Sequence, residues 1–169
     1  LGSSYGAMGQ PQFMPSNYIK YGYDFNNDEK VDLWNSESDI LASIANFLNS
    51  NGWEKNLTWG AEVTKNPDLP CYTEGPNNKK TIKEWKLNGI NLVDVKSILN
   101  FPNSLKTSLF LPKGEYGPKF LVTNNFYILK KYNFSDFYAL YVSIFADLIE
   151  GKKFFQRAWT NTIKLNQNK

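Results

Sequence analysis

Apolar residues recur at helical spacing in some stretches of this chain and at strand spacing in others. Ser36 is followed three positions on by Asp39, and Ile40, Ile44, Phe47 and Leu48 then form a stripe that stops at Gly52. A side-chain oxygen ahead of a 3.6-residue stripe predicts a capped amphipathic helix ending at that glycine. From Ser135 to Ile149 the chain is apolar nearly all round, with Ser135 placed to cap the start and Gly151 the end, which predicts a buried helix. Further helices are expected from near Ser16 and, briefly, over Thr81 to Leu87. Between Asn56 and Gly117 the pattern breaks into short runs punctuated by Pro and Gly. Thr58 to Val63, Thr107 to Leu111 and Lys119 to Thr123 are the expected strands. The opening stretch, Leu1 to Pro15, is rich in Gly, Ser and Pro without a clean period and reads as a loop that wraps something.

These elements predict a mainly α chain with a small β lobe, an α+β fold. Its expected parts are a helical segment over 1–55, a β-rich lobe over 56–123, buried helices over 124–151 that complete the core, and a basic extension over 152–169. That last stretch carries Lys152, Lys153, Arg157, Lys164 and Lys169 with no acid, as a solvated terminal extension would.

Composition narrows the chemistry. With 169 residues, 41% of them apolar and 21% charged, the chain can bury a real core as one domain or two small lobes. It is not a disordered tail, a collagen-like fibre or a disulfide scaffold. Histidine is absent, which removes Ser-His-Asp and Cys-His triads and the commonest zinc ligand, so acid-base chemistry must run on carboxylates. Cys71 is the sole cysteine and has no partner for an internal disulfide. The net charge of +3 rests on 18 Lys and one Arg without a dense cluster, which argues against a nucleic-acid partner. No run approaches the roughly 18 to 20 apolar residues of a membrane span, and no charged-then-apolar leader is present at the N-terminus.

Charge is concentrated in one place. Between Asp24 and Asp39 stand six carboxylates against one lysine. Asp24, Asn26, Asp28, Lys30 and Asp32 fall at positions 1, 3, 5, 7 and 9 of a calcium loop, Lys30 offering its backbone carbonyl. Glu29 stands where the sharp turn prefers Gly, and Asn35 where a bidentate Glu is expected, although Asp39 could close the cage from a longer loop. Two readings stay open on spacing alone: an EF-hand-like calcium loop, and a solvated Asx-rich turn between helices. Hard oxygen ligands would favour calcium, in a structural role that pins the loop.

The string Gly2-Ser3-Ser4-Tyr5-Gly6-Ala7-Met8-Gly9-Gln10-Pro11-Gln12-Phe13-Met14-Pro15-Ser16 resembles the signature of the MltB-type lytic murein transglycosylases, glycoside hydrolase family 103. The likeness continues through the acidic loop into Asp32-Leu33-Trp34-Asn35, then Ala42 to Leu48, Asn51-Gly52-Trp53 and Trp59 to Val63. It resumes at Gly117 to Val122, Asn124, Phe126, Tyr132-Asn133-Phe134-Ser135 and Tyr138-Ala139-Leu140, ending near Gly151. It is weakest over 66–103.

The resemblance implies a lysozyme-like core and cleavage of the β-1,4 bond between N-acetylmuramic acid and N-acetylglucosamine in peptidoglycan. The muramic 6-hydroxyl attacks intramolecularly and gives a 1,6-anhydro product. One carboxylic acid of raised pKa would protonate the leaving oxygen and then act as base. In the family this is a Glu in a Glu-Ser-x-x-Gly-type segment upstream of the Gly-Ser-x-x-Gly-Ala-Met-Gly motif, so the acid is expected upstream of Leu1. Within the chain, Glu37, Glu62 and Glu115 have plainer readings as helix start, strand edge and turn.

Saccharide contacts carried over from the family are Ser3, Met8, Gln12 and Phe13 on one side and Tyr132, Asn133 and Tyr138 on the other. Phe13 and Tyr132 have an alternative as core aromatics, and Ser3 as a turn residue. The family's calcium loop lies at Asp24 to Asp39, with ligands Asp24, Asn26, Asp28, the Lys30 carbonyl and Asp39. No organic cofactor is implied. The implied partner is the peptidoglycan glycan strand, the location a bacterial periplasm or envelope, the state a monomer, and membrane association only through an upstream anchor. A non-catalytic glycan-binding fragment and a calcium-stabilised interaction domain are the competing expectations.

Overall fold

The structure, a computed structural model, describes residues 3–66, 69–94 and 101–152. The chain divides into two compact units, Leu1–Lys55 and Asn56–Lys169. The expected extension over 152–169 lies outside the described residues from position 153 onward.

In the first unit the opening loop leads into helix α1 (Pro15–Tyr21), whose proline sits in the first turn, where its missing N–H leaves no helical bond unmade. Helix α2 (Glu37–Ser50) begins as its pattern predicts: the Ser36 hydroxyl accepts from the Asp39 N–H at 3.4 Å. Glu37 and Asp39 place negative charge on the positive end of the helix dipole. Phe47 on the apolar stripe is the packing centre, 6.0 Å from the Phe13 ring and edge-on to Tyr21 at 4.9 Å. Leu33 and Ile40 are buried in the same unit.

The second unit is organised by a five-stranded antiparallel sheet. Its strands are β1 (Gly60–Thr64), β2 (Lys80–Thr81), β3 (Asn91–Leu92), β4 (Lys106–Phe110) and β5 (Lys119–Val122), in the spatial order β2-β4-β5-β1-β3. The register sorts side chains by face. Leu109 pairs with Leu121 and Leu121 with Ala61, while one step along Phe110 pairs with Phe120 and Phe120 with Glu62. Because side chains alternate with period 2, the two rows lie on opposite faces.

Leu109, Leu121, Ala61 and Val63 form one core with helix α3 (Ile82–Leu87), through Ile82 and Trp85. Trp85 is fully buried and its indole N–H donates to the Thr107 carbonyl at 3.2 Å. A capping box starts α3: Glu84 Oε2 accepts from the Thr81 N–H at 2.7 Å, and Thr81 Oγ1 accepts from the Glu84 N–H at 3.2 Å. On the other face, helix α4 (Asn124–Tyr132) brings Phe126 to within 4.9 Å of Phe110, and Trp59 lies 5.7 Å from Phe120. Helix α5 (Asp136–Ile149) follows, capped by Ser135 Oγ on the Tyr138 N–H at 3.3 Å, and Asp147 receives the Trp59 indole N–H at 2.7 Å.

Two sequence expectations change here. The first strand starts at Gly60 rather than Thr58, because the carbonyls of Thr58 and Trp59 are taken by the side chain and N–H of Thr123 at 2.6 and 2.8 Å. Helix α5 is not buried all round. Ala139, Leu140 and Ser143 form its one buried stripe, while Phe137, Tyr141, Phe145, Leu148 and Ile149 are exposed. A helix lying against one layer has one covered face, whatever the composition of the other.

Phe126→Ala should cost about 3–5 kcal/mol of stability, the usual penalty for emptying a packed aromatic site. Leu87→Ala, at 80% exposure, should stay within about 0.5 kcal/mol, as surface changes do. Urea denaturation of the two variants checks both values.

Candidate functional site

The acidic loop is folded around its own backbone. Asp24 accepts from the N–H groups of Asp28 and Glu29 at 3.3 and 2.9 Å, Asn26 Oδ1 from Asp28 N–H at 3.1 Å, and Asp28 from Lys30 N–H at 3.0 Å. The side-chain oxygens at alternate positions therefore turn inward, and Asn27 and Glu29 adopt left-handed backbone conformations, φ 59° and 67°, to allow it. Asp32 turns the other way and caps the N–H groups of Trp34 and Asn35 at 2.8 and 2.9 Å.

Helix α2 holds this loop with three polar residues set into its inward side at helical spacing. Asn46 donates to the Tyr21 carbonyl at 3.0 Å, Ser43 Oγ accepts from Tyr23 N–H at 2.9 Å, and Asp39 accepts from Phe25 N–H at 3.0 Å and Asp32 N–H at 3.1 Å. Asp39 has no exposed surface. Burial pushes its carboxyl up, but the amides of Asp32, Phe25 and Asn26 and the Ser36 hydroxyl outweigh that and hold it below the ordinary range. Asp32 is also held low, by the Asn35 side chain and the amides of Trp34 and Asn35.

The donors around this loop are hard oxygens, as calcium requires. Asp24, Asn26 and Asp28 already point inward, so the donor set fits that ion chemically. Both Asp39 oxygens are engaged by loop amides, and among the described residues no three Asp, Glu or Cys side chains stand close enough together to hold a metal.

The opening loop is rigid for local reasons. Met8 and Phe13 exchange backbone hydrogen bonds at 2.7 and 3.0 Å, closing a tight hairpin. Gly9 within it has φ +64°, and a Cβ there would stand 2.4 Å from the Leu33 carbonyl oxygen, so no other residue fits. Gln12, at φ 53°, is exposed and folds its amide back to donate to Gly9 O at 2.7 Å. Ser3 Oγ accepts from Ala7 N–H at 3.1 Å. Ser3 and Gln12 are solvent-facing and Met8 half-buried. Phe13, at 1% exposure against Phe47, lies in the core, as the alternative reading of that residue has it.

Tyr132, Asn133 and Tyr138 meet where α4 passes into α5. Tyr132 ends α4, and Asn133 Oδ1 accepts from Ser135 N–H at 3.0 Å, which fixes the corner. Burial, then the neighbouring Tyr138, pushes the Tyr132 phenol above its usual range, so it stays a protonated donor. Asn133 and Tyr138 are exposed.

Of the carboxylates weighed as acids, Glu37 is exposed in the first turn of α2, and Glu62 is mid-strand opposite Phe120. Glu115 pairs with Lys65 at 2.8 Å and Lys119 at 3.9 Å. Among the described Asp and Glu side chains, the one held above its usual range is Glu74, which sequence reasoning missed. Burial pushes it up, the Leu111 N–H at 2.6 Å pulls it back, and the charges of Asp136 and Glu115 add to the rise. Its only sequence signal is a Glu-Gly-Pro turn.

The family model of the transglycosylase SLT domain matches residues 1–147. The chain is 33% identical over 144 residues to the membrane-bound lytic murein transglycosylase B of Escherichia coli, covering 83% of this chain and 37% of that protein. The crystal structure of SltB3 from Pseudomonas aeruginosa in complex with NAG-anhNAM-pentapeptide superposes with a TM-score of 0.84 at 38% identity, over 94% of this chain and 42% of that one. The Escherichia coli lytic transglycosylase SLT35, in complex with calcium, gives a TM-score of 0.67 at 32% identity, over 84% of this chain and 43% of that one. The chain thus spans under half the length of these relatives.

A carboxyl held low in the fold stabilises above its unfolded pKa and loses that contribution as pH falls through the folded value. Asp39 should therefore add full stability above about pH 4 and lose it below, and Asp39→Asn should flatten that acid limb. Circular dichroism of both proteins, titrated downward from pH 5, checks the sign.

Proposed function

The chain belongs to the transglycosylase SLT domain family, and from that premise we propose that it is part of a bacterial enzyme of the periplasm or cell envelope that cleaves peptidoglycan glycan strands. The match over residues 1–147 carries this reading. It is supported by the fold shared with SltB3, whose structures hold muropeptide ligands.

In the proposed reaction a carboxylic acid gives its proton to the glycosidic oxygen as the bond to muramic C1 breaks. The same carboxylate then takes the proton of the muramic 6-hydroxyl as that oxygen bonds to C1, so the product is a 1,6-anhydro sugar and no water is consumed. The acid is assigned to a Glu of the family's upstream segment. The residues of this chain bind. Ser3 and Gln12 offer hydroxyl and amide groups, Met8 an apolar surface with Phe13 packed behind it, and Tyr132, Asn133 and Tyr138 aromatic faces beside an amide, a common carbohydrate-binding combination. Groups already tied to backbone, as Gln12 and Asn133 are, lose little freedom on binding.

Calcium fits this reading as a structural ion on Asp24, Asn26, Asp28 and the Lys30 carbonyl, with Asp39 joining them only by giving up the loop amides of Phe25 or Asp32 that now engage its oxygens. Its charge would offset the crowded carboxylates of the loop. Support comes from the inward-turned oxygens and from SLT35, which was crystallised with calcium. A second reading, binding without cleavage by these 169 residues, is favoured by Glu37 standing in an exposed first helical turn, Glu62 mid-strand and Glu115 in ion pairs with Lys65 and Lys119.

Incubation with purified peptidoglycan in the presence of calcium, followed by mass spectrometry, should yield no 1,6-anhydromuropeptides from these residues alone. Sedimentation should still show binding, and Gln12→Ala with Asn133→Ala should weaken it at least about tenfold. Anhydro products would place the acid within the chain, and no sedimentation would remove the glycan reading. Calcium should also raise the melting temperature by several degrees at saturation, and Asp24→Asn should abolish that rise.

A further inference from the structure

Within the second unit a cavity of about 350 Å³ lies between the Glu74-Gly75-Pro76 turn and Phe110, Tyr127 and Lys130, with Phe126 and Asp136 completing its lining. That is room for several heavy atoms, since a liquid water occupies about 30 Å³. The wall is fixed: Gly75 N–H donates to the Leu109 carbonyl at 3.0 Å and Leu111 N–H to Glu74 Oε1 at 2.6 Å, so the Glu74 turn is pinned to β4 on both sides. Gly75, at φ +103°, leaves open space where a side chain would stand.

The charges do not balance. Lys130 is committed to Asp136 at 2.5 Å and lies 5.3 Å from the Phe134 ring centre. Glu74, half-buried, has no cation paired with it, and its Oε2 has no donor among the described residues. Tyr127 adds a phenol kept protonated by burial. A half-buried carboxylate with one free oxygen and a second carboxylate nearby calls for a hydrogen-bonding cation. A sugar fits less well. Phe126 has no exposed surface and Phe110 only 8%, so neither presents a ring face on which a pyranose could stack.

We propose that this cavity binds a primary ammonium group on a short aliphatic stem, with Glu74 Oε2 as its acceptor and the Phe110 wall, which keeps 8% exposure, against the stem. Identifying the natural ligand as the free amine of a peptide branch on the glycan rests on the peptidoglycan reading. The pocket's preference for an ammonium does not.

The test is a titration of the full chain, followed through the amide resonances of Gly75 and Leu111. The probes are Nα-acetyl-lysine, Nα,Nε-diacetyl-lysine and N-acetylglucosamine. The free amine should give saturable shifts at both amides, while the diacetylated probe and the sugar give none. Glu74→Gln, which keeps an acceptor for Leu111, should weaken the amine at least about tenfold. Equal response to the two lysine probes, shifts with the sugar alone, no saturable shift, or unchanged affinity in a folded Glu74→Gln protein would each overturn the proposal. The probe comparison on the unaltered chain decides the matter if the variant fails to fold. Sedimentation with peptide-free chitin oligosaccharides, expected to be the same for the unaltered chain and Glu74→Gln, reports the glycan site separately.

Discussion

A carboxylate with no exposed surface, Asp39, governs the first unit. Burying a charge is costly unless hydrogen bonds replace the lost water, and here amides of the acidic loop do so. The bonds run both ways in consequence. The loop keeps Asp39 ionised, and Asp39 gives a segment crowded with carboxylates a reason to fold back on α2. Ser43 and Asn46 extend the contact along the same helix side to Tyr23 and Tyr21. Like charges within the loop are thus offset by oriented amides, and a bound cation would reinforce an arrangement that already exists.

The second unit solves a different problem, because its sheet is covered on both faces. The register that pairs Leu109 with Leu121 also sets Phe110 against Phe120, and a slip of one residue would exchange the two cores. Trp85 and Phe126 fill opposite sides of this frame. The Trp59 indole bond to Asp147 and the Asn125 bond to the Leu57 carbonyl fasten α5 and α4 to the chain leading into the sheet. The corner at Tyr132, Asn133 and Tyr138 inherits its rigidity from those attachments.

Rigid polar groups on firm supports are what recognition of a polymer of repeating sugars asks of a protein. The hairpin at Gly9 presents the Gln12 amide, while its Phe13 is buried, and the α4–α5 corner presents the Asn133 amide beside Tyr138; both amides are already tied to backbone. Binding then pays little ordering entropy. A glycan role for these surfaces is the proposal that family membership supports, and the Glu74 cavity carries a separate proposal of another chemistry.

Local rules made much of this legible in the chain alone. Caps at Ser36 and Ser135, the short helix near Thr81, the stripe through Phe47 and the three longer strands follow from hydrogen bonding and periodicity between near neighbours, and the structure keeps them with shifts of one or two residues. The opening string is partly local, since its tight turn holds Gly9 at φ +64°, although the close approach of Leu33 that also demands glycine there comes from the fold. Partners distant in sequence were not legible. Helix α5 has the composition of a buried helix, and only packing shows that its covering layer reaches one face. The capture of Asp39 by loop amides, the choice between the two readings of Phe13 and the raised carboxyl of Glu74 likewise depend on neighbours brought from elsewhere in the chain. Sequence determined which elements form and where they are capped, because those free energies are settled within a few residues. Tertiary structure alone decided which side chains are buried, paired or left facing a cavity, because burial and charge depend on what the fold brings alongside.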